Sequence, residues 1–164
     1  MRKIISIATV FMFVLITSCI STKTNHADFD TNVEVAKTFM KLHEAENYTA
    51  QADLLHDELL WQPPMYGSEQ YGKVEHVEAM KMYQEAFDNI TYTADNWLPG
   101  VNADTGIIDG SVRTYGTWTG LHVATDKPFS LTSYHTMDFK DGKIIGGGDY
   151  FDFGGFFSSL QVEE

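Results

Sequence analysis

One cysteine, four prolines and 11 basic residues against 23 acidic ones exclude several kinds of protein at once. A lone cysteine forms no internal disulfide, so the domain must depend on its apolar core. The formal net charge of −12 repels phosphate backbones and argues against a nucleic-acid partner. The longest mainly apolar run, Ile4–Ile16, is thirteen residues, short of the ~20 that a membrane-spanning helix needs. Neither a G-x-x-x-x-G-K-S/T nor a G-x-G-x-x-G phosphate loop occurs, and no H-E-x-x-H pair marks a metal site. No cofactor and no metal are expected. What remains is a chain of 164 residues, 43% hydrophobic and 13% aromatic, enough for one domain with a proper core.

The N-terminus reads as an export signal. Arg2 and Lys3 precede the apolar run, which has the basic start and ~7–15-residue core of a secretory leader. The following Ile16-Thr17-Ser18-Cys19 resembles the lipobox of bacterial lipoproteins, and that resemblance implies cleavage after residue 18 and lipidation of Cys19. Residues 19–30 are then a polar tether and 31–164 the folded domain. Multiple acyl chains hold such a domain stably at a membrane. Ile20 after the cysteine implies the outer membrane, by resemblance to Gram-negative sorting. Removing residues 1–18 takes away two basic and no acidic residues, so lipid rather than protein charge would hold the domain to the surface.

In the mature chain the order of elements is helices first, then strands. Thr31-Asn32-Val33-Glu34 has capping-box form, and Val35, Ala36, Phe39, Met40 and His43 recur at helical spacing, which predicts a helix over 32–46. A short helix over 50–56 and a strand over 58–62, ending at Pro63-Pro64, follow. A third helix is expected to bury Val74, Val77, Met80, Tyr83 and Phe87 and to present Glu75, His76 and Glu78 to solvent. From residue 89 onward, β-branched and aromatic residues predict strands over 90–98, 107–119, 129–140 and 143–153, with an Asp141-Gly142 turn. Four consecutive strands imply an antiparallel meander and the whole an α+β domain. Asp152 is placed to cap a short C-terminal helix.

The third helix, the run Ser111-Val112-Arg113-Thr114-Tyr115-Gly116-Thr117-Trp118-Thr119-Gly120, then Asp141-Gly142-Lys143-Ile144 and Asp149-Tyr150-Phe151-Asp152 together resemble the SnoaL-like branch of the nuclear transport factor 2-like superfamily. The resemblance implies a cone-shaped curved antiparallel sheet wrapped around three N-terminal helices, with an apolar pocket at its open end. That pocket would bind a small hydrophobic molecule, lined by Trp61, Tyr83, Tyr115, Trp118 and Tyr134. It also implies that His135 and Asp149 match the histidine and aspartate of the SnoaL-like cyclases, whose relatives include isomerases and dehydratases needing no cofactor. Curved sheets of this superfamily often pair face to face, which makes a homodimer an expectation too. The glycines before Asp149 depart from the bulky residues usual there, and Tyr115 stands where the epoxide hydrolases of the superfamily carry an Asp.

Alternation along Leu131, Ser133, His135, Met137 and Phe139 aims His135 into the cone, either as an acid/base group or as a hydrogen-bonded core histidine. Asp149 is ambiguous. A regular two-residue turn pairs Lys140 with Lys143, sets His135 opposite Gly148 and turns Asp149 outward. A one-residue bulge near Gly146-Gly147-Gly148 would turn it inward. The two outcomes separate a binding module from a cofactor-independent isomerase, cyclase or dehydratase.

Overall fold

The computed structural model describes residues 26–161. The leader, Cys19 and the tether up to residue 25 lie outside the described residues. Helix α1 (Phe29–Glu44), the short α2 (Tyr48–Asp53), strand β1 (Leu55–Gln62) and α3 (Lys73–Ala86) precede four long strands: β2 (Phe87–Val101), β3 (Ile108–His122), β4 (Lys127–Lys140) and β5 (Lys143–Tyr150). A last helix, α4 (Phe153–Ser159), closes the chain. The five strands form one curved, unclosed sheet in the order β1-β5-β4-β3-β2. The β2–β5 meander is antiparallel as expected, and β1 adds to its edge parallel to β5.

Several local expectations need correction. Helix α1 starts at Phe29, whose side chain is buried, three residues before the expected start at 32. Its N-cap is Asp28, without a side-chain cap, and no capping box forms at Thr31–Glu34. Asn32 lies inside the helix and donates to the Gly110 carbonyl across the core, 3.0 Å away. Pro99-Gly100 does not end a strand; β2 runs through it, and the turn comes at Asn102–Ile107. Helix α3 is rotated about its axis relative to the expected one. Its buried residues are His76, Met80 and Gln84, one helical stripe, whereas Val74 is 74% exposed. Asp152 does cap α4, accepting from the Gly155 amide at 2.9 Å.

Two apolar clusters frame the interior. The larger one packs Phe39 and Met40 of α1 and Met80 of α3 against Leu59, Trp61, Val112, Met137 and Ile144 of the sheet. The smaller one, Phe87, Ile90, Phe156 and Leu160, fastens α4 to the other end. Between them the interior is incompletely filled, and the candidate site lies there.

Candidate functional site

The register of β4 and β5 decides the site. The Asp141-Gly142 turn, with both residues at positive φ, pairs Lys140 with Lys143 and Phe139 with Ile144 as the hairpin rule requires. Asp138 then pairs with Gly146, leaving Ile145 as an extra residue. This one-residue bulge shifts every later position, so His135 faces Asp149 rather than Gly148. Both side chains point to the inner face.

Glycines beside the bulge admit the neighbouring strand. Leu60, Trp61 and Gln62 of β1 pair with Gly146, Gly147 and Gly148. A Cβ on Gly147 would collide with the Thr136 carbonyl and come within 2.7 Å of the Trp61 ring. The bulky side chains absent before Asp149 are thus replaced by one indole from another strand, only 1% exposed.

Asp149 accepts from both sides. Its Oδ1 lies 2.7 Å from His135 Nδ1 and its Oδ2 takes the Trp61 indole N–H at 2.9 Å. Trp118 donates its indole N–H to His135 Nε2 at 2.9 Å, with Ser133 Oγ 2.8 Å from the same nitrogen. A ring nitrogen that accepts carries no proton, so the His135 hydrogen sits on Nδ1 and donates to Asp149. Burial alone would raise the Asp149 pKa. Hydrogen bonds from His135 first and from the Trp61 indole second work against it, and the carboxyl is held below its ordinary value.

The dyad opens onto a cavity of about 100 Å³ whose walls include Phe39, Met80, Phe87, Leu131 and Phe156. Of the residues expected to line it, Trp61, Tyr83 and Trp118 do so. Tyr115 and Tyr134 do not. They are paired across β3 and β4 on the outer face and stack there, ring centroids 4.5 Å apart, with Tyr134 also against Tyr150. Strand alternation accounts for this, because each is an odd number of residues from an inward neighbour such as Thr114 or His135. Arg113 is also outside, 3.0 Å from Asp138, so the incomplete hydrolase pattern has no arginine in the cavity.

The cavity contains polar groups that sequence reasoning did not select. His43, His76 and Tyr71 line it. His76, expected in solvent, is 4% exposed and packs on Trp61 with ring centroids 4.3 Å apart and the planes tilted by 31°. Neither of its ring nitrogens has a hydrogen-bond partner among the described residues, and burial pushes its pKa down to about 4. His43 is pushed down to about 4 for the same reason. The Tyr71 and Tyr83 hydroxyls have their pKa raised, by burial first and then by the Asp149 charge. Tyr71 reaches this wall because its backbone forms a two-bond bridge with Trp61. The one legible signal for His43 was its position four residues after Phe39 on the apolar stripe of α1. Among the described residues no group of three or more His, Cys, Asp or Glu is arranged to hold a metal.

No protein-family model and no curated protein matches the sequence. Solved structures do. A protein described as a SnoaL-like polyketide cyclase, from Jannaschia sp., superposes with a TM-score of 0.70 at 10% identity, covering 85% of this chain and 98% of that one. A protein described as an isomerase, from Bacillus subtilis, gives 0.64 at 17% identity over 77% and 90% of the two chains. An LEH-like epoxide hydrolase of M. tuberculosis gives 0.60 at 16% identity over 80% and 90%. At such identities the likeness concerns the fold, and the fold is the SnoaL-like form of the nuclear transport factor 2-like architecture.

Proposed function

We propose that this domain binds a small, mainly apolar molecule in the cavity between α1, α3 and the sheet, with the Asp149–His135 pair as its polar anchor. The observation that carries this reading is an unfilled apolar space of about 100 Å³ onto which a charged dyad opens. Well-packed cores leave few such voids, and engineered apolar cavities of ~150 Å³ take up a benzene-sized ring. Ala79 of α3 lies on the wall, so Ala79→Phe would fill the space. Toluene and cyclohexanone should shift the His135 and Trp118 ring resonances in the wild type and leave them unmoved in Ala79→Phe. Absence of any shift in the wild type would refute the reading.

A second reading is proton transfer next to a carbonyl. It is favoured by the pairing of an ionised carboxylate with two tyrosine hydroxyls kept protonated on the same cavity wall. A base and nearby hydrogen-bond donors are what enolisation requires. Asp149 uses two of its roughly four acceptor positions on the protein, leaving capacity for a proton from the ligand. The identities of two fold neighbours, described as a cyclase and an isomerase, agree with this chemistry. Asp149→Asn separates the readings: retained binding with lost turnover identifies an enzyme, and retained binding with no turnover in either protein identifies a binding module.

Location is part of the same proposal. The domain is held at the outer membrane by a lipid on Cys19, and no helix among the described residues is long and apolar enough to cross a bilayer. Labelling with a fatty-acid analogue should mark the wild type and not Cys19→Ala, which should move to the soluble fraction. Pairing of two copies through the outer sheet face is tested by the elution volume of the purified protein, and a monomer excludes it.

A further inference from the structure

A chain of side-chain hydrogen bonds connects the cavity to the backbone of α1. The Phe39 carbonyl can only accept, and Gln51 Nε2 donates to it at 2.9 Å. That contact orients the Gln51 amide, which is fully buried, and turns its Oε1 toward Gln84. An oxygen there needs a donor, so Gln84 presents its NH2 group. The same Gln84 Nε2 lies 3.1 Å from His43 Nδ1. Since the amide nitrogen is the donor, His43 Nδ1 must accept, and a neutral imidazole that accepts at Nδ1 carries its hydrogen on Nε2. The arrangement leaves Gln84 Oε1 buried without a partner, an unfavourable feature that follows directly from spending the amide nitrogen on both neighbours.

His43 lines the cavity together with Asp149 and His135. Its ring meets Trp118 edge-on at 5.2 Å, the same indole that donates to His135. With Nδ1 held by Gln84, Nε2 is the nitrogen His43 has left to offer. We propose that His43 is a specificity-determining hydrogen-bond donor, whose Nε2–H selects cavity ligands that carry an acceptor oxygen such as a carbonyl. This deepens the binding reading above and rests on it. Burial keeps the ring unprotonated near neutral pH, so the donor places no cation opposite Asp149. A neutral imidazole that polarises a carbonyl is an established chemical device. Gln84 and Gln51 are positioning residues, acting through the tautomer of His43.

The test begins with the unaltered full-length protein, selectively labelled with 15N-histidine. At pH 7 the His43 signals should show a protonated Nε2 and a bare Nδ1. A bare Nε2, or a doubly protonated ring, overturns the inference without any variant. Cyclohexanone and methylenecyclohexane are then titrated in parallel, because they match in shape and differ in the C=O. Cyclohexanone should bind more tightly, by about threefold to tenfold for one hydrogen bond, and should shift the His43 Nε2–H resonance. In His43→Phe that advantage should vanish while methylenecyclohexane affinity stays within about twofold. Equal affinities in the wild type overturn the donor role and leave the binding reading standing. Binding of neither compound overturns both. Gln84→Met, which removes the amide, should turn the single His43 tautomer into a mixture and reduce the preference for the ketone.

Discussion

Two acid–base pairs bridge neighbouring strands on opposite faces of the same sheet. Outside, Arg113 of β3 meets Asp138 of β4 at 3.0 Å, with the Asp138 side chain 52% exposed. Inside, His135 of β4 meets Asp149 of β5 at 2.7 Å, with side-chain exposures of 7% and 21%. The outer pair can exchange its partners for water. The inner pair is far less accessible, and each of its two side chains is further held, Asp149 by Trp61 and His135 by Trp118 and Ser133. Similar geometry therefore serves different ends: the outer contact is a minor surface interaction, whereas the inner one is a fixed charge distribution facing a cavity.

The comparison breaks most completely at the bulge. Inserting one glycine between Gly146 and Gly147, with the Ile145 bulge kept, shifts every later position by one, places Gly148 opposite His135 and turns Asp149 to the outer face. The expected result is loss of the His135 Nδ1–H coupling to Asp149 in the histidine NMR spectrum, together with a loss of stability larger than that of any single substitution below. Unchanged coupling would show that something other than the register holds Asp149 inside. His135→Leu keeps the register and leaves Asp149 buried without its main partner, which costs about 3–5 kcal/mol. Urea unfolding at pH 7 would measure it, and a loss under about 1 kcal/mol would mean that water reaches the carboxylate.

Acid sharpens the contrast further. His43 and His76 have pKa values lowered to about 4 in the folded protein, from 6.5. Between those values the unfolded chain binds protons that the folded one refuses, so stability falls as pH drops from 6.5 to 4. Each histidine contributes roughly 3 kcal/mol to that fall. Asp149, with its pKa depressed, adds stability that is complete above its unfolded value of 3.8 and disappears as pH falls through the lower folded value. His76→Phe should therefore remove about half of the slope between pH 6.5 and 4. Because it also removes two unpartnered nitrogens, it should stabilise the protein at pH 7 by about 1 kcal/mol. An unchanged slope would place His76 in contact with water. The smallest effect belongs outside: Arg113→Ala should cost less than about 1 kcal/mol and be nearly independent of salt above physiological strength.

Residues near each other in the chain were read well. The Asp141-Gly142 turn, the inward stripe of β4 carrying His135 and the Asp152 cap all depend on contacts spanning a few positions, where alternation and turn chemistry apply directly. Aromatic character suggests Tyr115 and Tyr134 for the cavity, but strand alternation puts both on the outer face, where they stack on each other. His76, in a segment with Glu75 and Glu78, has a local pattern that points to solvent. Only the Trp61 and Phe39 rings that cover it show otherwise.

The sequence by itself determined the α+β order, the meander and the presence of a histidine facing inward, since periodicities of two and 3.6 residues express backbone geometry. Tertiary structure alone decided which way Asp149 faces and which nitrogen of His43 carries its proton. Asp149 is held by an indole 88 residues away, and the His43 tautomer follows from the Gln84 amide 41 residues away, itself oriented by Gln51 across 33 residues. A bulge needs no sequence signature beyond a permissive backbone, and a tautomer depends on the orientation of distant hydrogen-bond partners. Both become defined only when strands and helices far apart in the chain come together.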